Sequence, residues 1–184
     1  MPPVAPVDPV APVAPAPAPS RPAADGLETD ALVIEPLGLR FRPPANSIMR
    51  SDGVGRTAQW TLTERSDSPK YIMKVTRLVV AAEQSTPAAQ IDEYIRSMSE
   101  RPADAENATV FSVKSRQSFK VGSAPAGLVY ATLRESDGLA AIQGYFMLQS
   151  EANEFLVISV LMAEEDFATV SPMLERSFRT AELV

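Results

Sequence analysis

Cysteine and histidine are both absent from this chain of 184 residues. Without cysteine there is no thiolate nucleophile and no disulfide, and without either residue the usual ligands of a zinc site are missing. The lack of histidine also excludes a Ser-His-Asp triad. Carboxylates, lysine, tyrosine, serine or an oxygen-bound metal remain available for chemistry. We nevertheless predict no catalytic residue and no cofactor.

Long apolar runs and an excess of positive charge are missing as well. No run approaches the roughly 20 apolar residues of a membrane helix, so we expect no membrane insertion by this chain. The net charge of -6 gives no general attraction to nucleic acid, and we predict no nucleic-acid partner. A hydrophobic content of 45% and a charged content of 22% are typical of a domain with its own core.

Proline is abundant and clustered at the start of the chain. Nine of the 17 prolines lie between Pro2 and Pro22, mixed with alanine and valine. This composition cannot bury a core and favours extended polyproline II, so we assign residues 1–30 to a disordered tether. Such a spacer before a compact domain is typical of a mature envelope protein without its leader. The expected location is therefore the periplasm or cell envelope, with the cytoplasm as the alternative.

Residues 31–184 have the pattern of a single α+β domain. Apolar residues at alternate positions, or in short runs, predict strands over residues 32–34, 37–42, 57–63, 71–81, 108–121, 128–134, 140–149 and 155–162. We predict loops or turns at 46–56, 66–69, 124–127, 136–138 and 151–154. The short links between strands favour a mainly antiparallel sheet of about six to seven strands, flanked by helices.

Two helices complete this pattern. Thr86 and Pro87 have the residue types of an N-cap and a first helical position, and Pro102 would end the first helix. The second helix carries an apolar stripe from Phe167 to Phe178. Pro172 leaves two starts open for it: the helix begins at Pro172, or it begins near Glu164 and bends.

The order of these elements resembles the Mog1/PsbP-like α-β-α sandwich over residues 37–183. The opening stretch Leu39-Arg-Phe-Arg-Pro-Pro44 and the spacing from Phe167 to Ser177-Phe178 carry the resemblance. The chain departs from the family where members often have a Gly-Trp pair, since Ala45 and its neighbours stand there. Known members are mostly partner-binding or assembly proteins. The resemblance therefore implies a non-catalytic binding domain and transfers no catalytic residue.

Three acidic or glycine-containing stretches are candidate sites. The carboxylates of Glu164 to Asp166 could pair as acid and base, but at a helix start they also stabilise the helix dipole. The Gly-x-Gly at 53–55 has a strand after it, whereas a phosphate loop needs a helix there. Residues 104–107 offer three oxygen ligands without the glycine of a calcium loop. We predict a structural role for each stretch.

The stronger candidate is a row of cations on the predicted strand 108–121. Lys114, Arg116 and Lys120 are spaced two or four residues apart, which places them on one face of a regular strand. Such a row could dock an acidic protein partner or an anionic polymer. The alternative is a solvated or protective edge, because lysine is common on strands kept from aggregating.

Three functions follow from these observations. The first is a non-catalytic binding or assembly domain on a proline-rich tether, in a bacterial envelope protein. The second is a carrier that encloses a small molecule or lipid in an apolar cavity of a few hundred Å³. The third is a carboxylate-based or metal-dependent enzyme, which would need two convergent carboxylates in a deep pocket.

Overall fold

The computed structural model describes residues 24–52, 59–81, 86–100, 110–134 and 138–184. The strands in these ranges are β1 Leu32–Ile34, β2 Leu39–Phe41, β3 Ser47–Asp52, β4 Gln59–Glu64, β5 Tyr71–Val79, β6 Val110–Val121, β7 Ala124–Arg134, β8 Ala140–Glu151, β9 Glu154–Ala163 and β10 Glu182–Leu183. The α-helices are α1 Pro87–Ser99 and α2 Phe167–Arg179, and short 3-10 helices span Glu35–Leu37 and Glu164–Asp166.

The strands form two antiparallel sheets. The large sheet has seven strands in the order β3-β4-β5-β9-β8-β7-β6, and the small sheet has the order β1-β2-β10. The hairpin of β8 and β9 lies at the centre, joined through residues 152–153. The predicted α+β class, with a mainly antiparallel sheet flanked by helices, is confirmed.

The large sheet separates two apolar cores. On β9, Leu156 and Ile158 belong to the core that contains Val170, Leu174 and Phe178 of α2. The residues between them, Phe155 and Val157, belong to a smaller cluster that contains Ile91 of α1. Because neighbouring residues of a strand face opposite ways, α1 and α2 lie on opposite faces of the sheet. The small sheet joins the α2 side through Leu39 and Phe41.

Helix α1 begins where the sequence predicts. The hydroxyl oxygen of Thr86 accepts a hydrogen bond from the backbone N–H of Ala89, at 3.2 Å, and Pro87 is the first helical residue. Ile91 is fully buried, while Tyr94 and Ile95 pack at the edge of its cluster. The helix ends at Ser99, and the predicted stop at Pro102 lies outside the described residues.

The start of helix α2, which the sequence left open, lies before Pro172. The chain first turns through the 3-10 helix Glu164–Asp166, and the α-helix starts at Phe167, so Pro172 lies inside it. Proline has no N–H to donate and therefore costs this helix one backbone hydrogen bond. The buried stripe of Val170, Leu174 and Phe178 is confirmed, and burial of this stripe offsets that loss.

Two predicted loops are strands in the structure. Residues 46–56 were expected as a loop, but 47–52 form β3. This strand lies at the edge of the sheet with mostly exposed side chains, so it lacks the alternation that marks a half-buried strand. Residues 124–127 were expected as a turn, but β7 already begins at Ala124. The turn is at Gly122 and Ser123, where Gly122 adopts φ +59°.

The two ends of the described domain also differ from the prediction. Strand β10 was missed because two residues are too few to show a period, yet Glu182 and Leu183 pair with Arg40 and Leu39 of β2. Residues 25–28, assigned to the tether, pack against the domain: Leu27 is buried and pairs with Pro44. A backbone hydrogen bond from Leu27, followed by Arg42, lowers the pKa of the nearby Asp25 carboxyl.

Candidate functional site

Helix α1 covers only part of its face of the large sheet. It contacts β6, β7 and β8, and the strands β3, β4, β5 and β9 continue beyond it. On this side the register aligns Ile48, Thr63, Ile72 and Leu161 in one row across the four strands. The exposed fraction is 39% for Ile72 and 45% for Leu161, large values for apolar residues in the middle of a sheet.

The next row on the same face carries the charges. Arg50, Thr61, Lys74 and Ser159 are aligned by the same pairings, and both cations are exposed. Among the residues described, neither Arg50 nor Lys74 has a carboxylate within 4.0 Å. We call these two rows together the open face, which comprises Ile48, Arg50, Thr61, Thr63, Ile72, Lys74, Ser159 and Leu161.

A groove of about 330 Å³ lies where the open face meets α1. It is lined by Leu78, Met147 and Val157, which come from three different strands. Tyr94 lines it on the side of α1, and Tyr145 lines it on the side of β8. The two tyrosine rings are 4.3 Å apart. The hydroxyl of Tyr94 donates to Gln143 Oε1 at 3.0 Å, and Gln143 Nε2 donates to the Tyr145 hydroxyl at 2.9 Å. These bonds fix the rings at the mouth of an apolar groove.

The predicted row of Lys114, Arg116 and Lys120 is not a row in the structure. The pairing of β6 with β7 shifts between Val113 and Ser115, so Lys114 is an extra residue in a bulge. Lys114 contacts the α2 side, 3.6 Å from Glu164 and 5.0 Å from the centre of the Phe167 ring. Arg116 instead forms an ion pair with Asp92 of α1, on the opposite side.

The bulge explains why the three cations do not form one row. A bulge changes which face the following residues occupy, and no two-residue spacing in the sequence reveals it. Lys120 is exposed near the end of β6. A role of these three residues in partner binding stays a prediction.

The acidic candidates have other roles or lie outside the described residues. Glu164 forms ion pairs with Lys114 at 3.6 Å and with Arg134 at 3.1 Å, and no capping hydrogen bond from a side chain is made at its 3-10 helix. Within the described parts of the chain, no group of three or more Asp and Glu residues could hold a metal ion. The Gly-x-Gly at 53–55 and the stretch 104–107 are not among the described residues. No described helix is long and apolar enough to cross a membrane.

Sequence comparisons find no matching family model and no matching curated protein. Solved structures do match. The cyanobacterial PsbP of Synechocystis has a TM-score of 0.60 at 8% identity, over 88% of this chain and 95% of that one. The Ran-binding protein Mog1p of Saccharomyces cerevisiae has 0.58 at 15%, over 86% and 96%. LpqN of Mycobacterium tuberculosis, involved in cell envelope biogenesis, has 0.54 at 9%, over 89% and 98%.

These matches show the fold. At such low identities the likeness is one of backbone architecture, and the predicted Mog1/PsbP-like sandwich is confirmed. No residue role passes from these proteins to this chain. The open face was missed from the sequence, since Ile72 and Leu161 look like ordinary inward residues of their strands. Only the position of α1 shows which part of the sheet remains uncovered.

Proposed function

We propose that this chain is a non-catalytic binding domain that docks a protein partner on the open face beside α1. The observation that carries the proposal is the exposure of Ile72 and Leu161 on two interior strands of the sheet, with the row of Lys74 and Ser159 between them and the groove beside α1. Exposed apolar side chains that are rimmed by polar residues are typical of a protein–protein interface. The two apolar side chains pair directly across β5 and β9, so a partner contacts them together.

The fold and the chain's composition agree with this proposal. Mog1p is described as Ran-binding and LpqN as involved in cell envelope biogenesis, which supports a binding role for a chain of this fold. We further propose that the Pro/Ala-rich segment tethers the domain within a bacterial envelope, with the cytoplasm as the alternative location. The docking surface would extend beyond α1 to Lys120, which is exposed, and to Arg116, which is paired with Asp92. Lys114 lies on the opposite face of the sheet, beside Glu164.

Position-specific crosslinking tests the docking face. A photoreactive residue would replace Leu161 on the open face in one protein and Arg40 on the small sheet in another, both applied to extract of the native organism. Because both positions are exposed, they sample solvent comparably. We expect one discrete protein adduct from position 161 and none from position 40. Equal adduct patterns at both positions would overturn the proposal.

A carrier of small apolar molecules is the second candidate, and the groove beside α1 is the observation that favours it. Its volume of about 330 Å³ is at the lower end of the range of ligand pockets. A fluorescent apolar probe would report binding there. Substitution of Met147 by Trp fills the groove from its floor, so probe affinity should fall about tenfold. Unchanged affinity would remove this candidate.

A further inference from the structure

The width of the open face limits the size and shape of what can bind to it. Strands in a sheet are about 4.8 Å apart, so β3, β4, β5 and β9 span about 14 Å between the outer strand axes. An α-helix with its side chains is about 10–12 Å across. The uncovered area therefore accommodates one helix lying beside α1. An added strand would need a free sheet edge, whereas this surface is a sheet face.

The apolar row defines where such a helix makes its central contact. Ile72 and Leu161 are paired in register, which places their Cβ atoms about 5 Å apart, and Ile48 extends the row at the β3 end. One helix presents apolar side chains at i, i+3, i+4 and i+7 along a single stripe. A stripe of this length covers the two central side chains.

The charges of the open face define the rest of the partner. Arg50 and Lys74 lie one row away, at about 7 Å along their strands. Two acidic residues lie on the same side. Asp52 is the last residue of β3, two residues beyond Arg50, and Glu93 of α1 forms an ion pair with Arg96. In the part of the chain that the structure describes, no carboxylate pairs with Arg50 or Lys74, so both cations can meet carboxylates of a partner. They form a local excess of positive charge in a chain of net charge -6.

We propose that the open face binds one amphipathic helix of a partner protein, with its apolar stripe on Ile72 and Leu161 and carboxylates toward Arg50 and Lys74. This inference rests on the proposed protein-binding function. It deepens that function by assigning the class of partner. Complementary charge at the edge of an apolar contact sets the orientation of the helix and accelerates association.

A displayed library of 18-residue peptides tests the inference. The purified full chain would select from sequences patterned as helices, with the flanking positions free to become Glu, Lys or Ser. We expect enrichment of peptides with apolar residues at helical spacing and Glu at the flanks. Against the best peptide, Leu161→Asp should weaken binding at least about tenfold, because it places a charge at the centre of the contact.

Reversal of the charges of Arg50 and Lys74 provides a more specific test. The double variant Arg50→Glu, Lys74→Glu should select peptides with Lys at the flanks instead of Glu, while Arg40→Glu on the small sheet should select the wild-type set. Circular dichroism and thermal melts confirm that each variant is folded. No enrichment by the wild-type chain would overturn the inference. So would peptides with apolar residues at a spacing of two, or an unchanged preference after charge reversal.

The two proposals fail in different ways. If crosslinks from position 161 identify a protein partner but the selected peptides are neutral, basic or extended, the acidic-helix inference is wrong and protein binding stands. If position 161 yields no protein adduct and the library yields no peptides, both proposals are wrong.

Discussion

At the residue scale, the hydroxyl of Tyr130 is the most unusual polar group in the described structure. The side chain is fully buried in β7, and its ring packs edge-on against Phe167 at 5.1 Å. A Cβ atom built on Gly144 would lie 2.6 Å from Cε1 of this ring. Among the described residues, the hydroxyl oxygen has no hydrogen-bond partner. Burial raises the pKa of the Tyr130 hydroxyl, and the charge of Glu175 raises it further.

The Tyr130→Phe substitution should therefore leave stability at pH 7 unchanged or raise it by up to about 1 kcal/mol, because it removes a desolvated hydroxyl that makes no bond. The free energy of unfolding from urea titration measures this. Tyr71→Phe is the matched control. Its hydroxyl lies 3.1 Å from the Ser47 hydroxyl, so that variant should lose about 1 kcal/mol. A loss of more than about 1 kcal/mol in Tyr130→Phe would show that the hydroxyl has a partner.

The same residue makes stability depend on alkaline pH. In the unfolded chain a tyrosine releases its proton near pH 10, whereas folded Tyr130 keeps its proton because its pKa is raised. Stability therefore falls as the pH rises above about 10, by up to about 1.4 kcal/mol per pH unit from this one group. Tyr130→Phe should remove that contribution. Urea titrations at pH 9 to 11 should show a shallower fall than in the wild type.

At the element scale, the close approach of α1 to β7 depends on one glycine. A Cβ atom built on Gly127 would lie 2.6 Å from Cδ1 of Ile91 and 3.3 Å from Cβ of Pro87. The glycine inside a strand therefore has a packing reason, since it lets the first turn of the helix contact the strand backbone. This contact sets where α1 lies and hence where the open face begins.

We expect Gly127→Ala to destabilise the domain by about 1–3 kcal/mol, because the helix or Ile91 must move. The double variant Gly127→Ala, Ile91→Val removes the clashing Cδ1 atom, so it should recover part of the loss despite the smaller side chain. Chemical denaturation of the four proteins of this cycle measures the coupling. Additive effects of the two substitutions would contradict the clash.

Strand β6 shows how one element can depart from the period of its sequence. Its alternation after the bulge places Phe119 against Phe146 in the α2-side core, at a ring distance of 6.0 Å. Before the bulge, Phe111 contacts Tyr94 of α1 instead. Two apolar residues with the same parity in sequence thus occupy opposite faces. A bulge also twists this exposed edge, which protects it from pairing with other chains.

At the scale of the whole molecule, Arg77 links the large sheet to the segment between β1 and β2 of the small sheet. Arg77 Nη1 lies 2.7 Å from Glu154 Oε1, and the two side chains are 12% and 13% exposed. The same guanidinium donates through Nη2 to the backbone oxygen of Pro36 at 3.2 Å, just before the small sheet's β2. The pair therefore joins β5, β9 and the layer that covers the α2 side.

Arg77→Ala should cost about 3 kcal/mol, because it leaves the Glu154 carboxylate largely buried without its cation. The double variant Arg77→Met, Glu154→Gln should lose much less, since no charge remains to be desolvated. Hydrogen exchange provides a local check: amides of β1 and β2 should exchange faster in both variants than in the wild type, because both lose the hydrogen bond from Arg77 to Pro36. Equal losses in both variants would show that the charge is well solvated.

Most of the elements of this protein, and their order, follow from local patterns in its sequence. Alternation located the paired strands, Thr86 and Pro87 located the start of α1, and the stripe through Val170, Leu174 and Phe178 defined α2. These signals are local, because each depends on burial of one face of a single element. The absence of cysteine and histidine is likewise a property of the sequence alone, and it limits the chemistry that the side chains can perform.

The arrangement of the candidate binding surface depends on long-range packing. The bulge at Lys114 separated this residue from Arg116 and Lys120, which the sequence placed on the same face. The strands beyond α1 brought Arg50 and Lys74 beside Ile72 and Leu161. Bulges, edge strands and uncovered faces depend on which strands are neighbours and where a helix lies on them. A local period carries no information about such long-range arrangement, and so the candidate site emerged only from the assembled sheet.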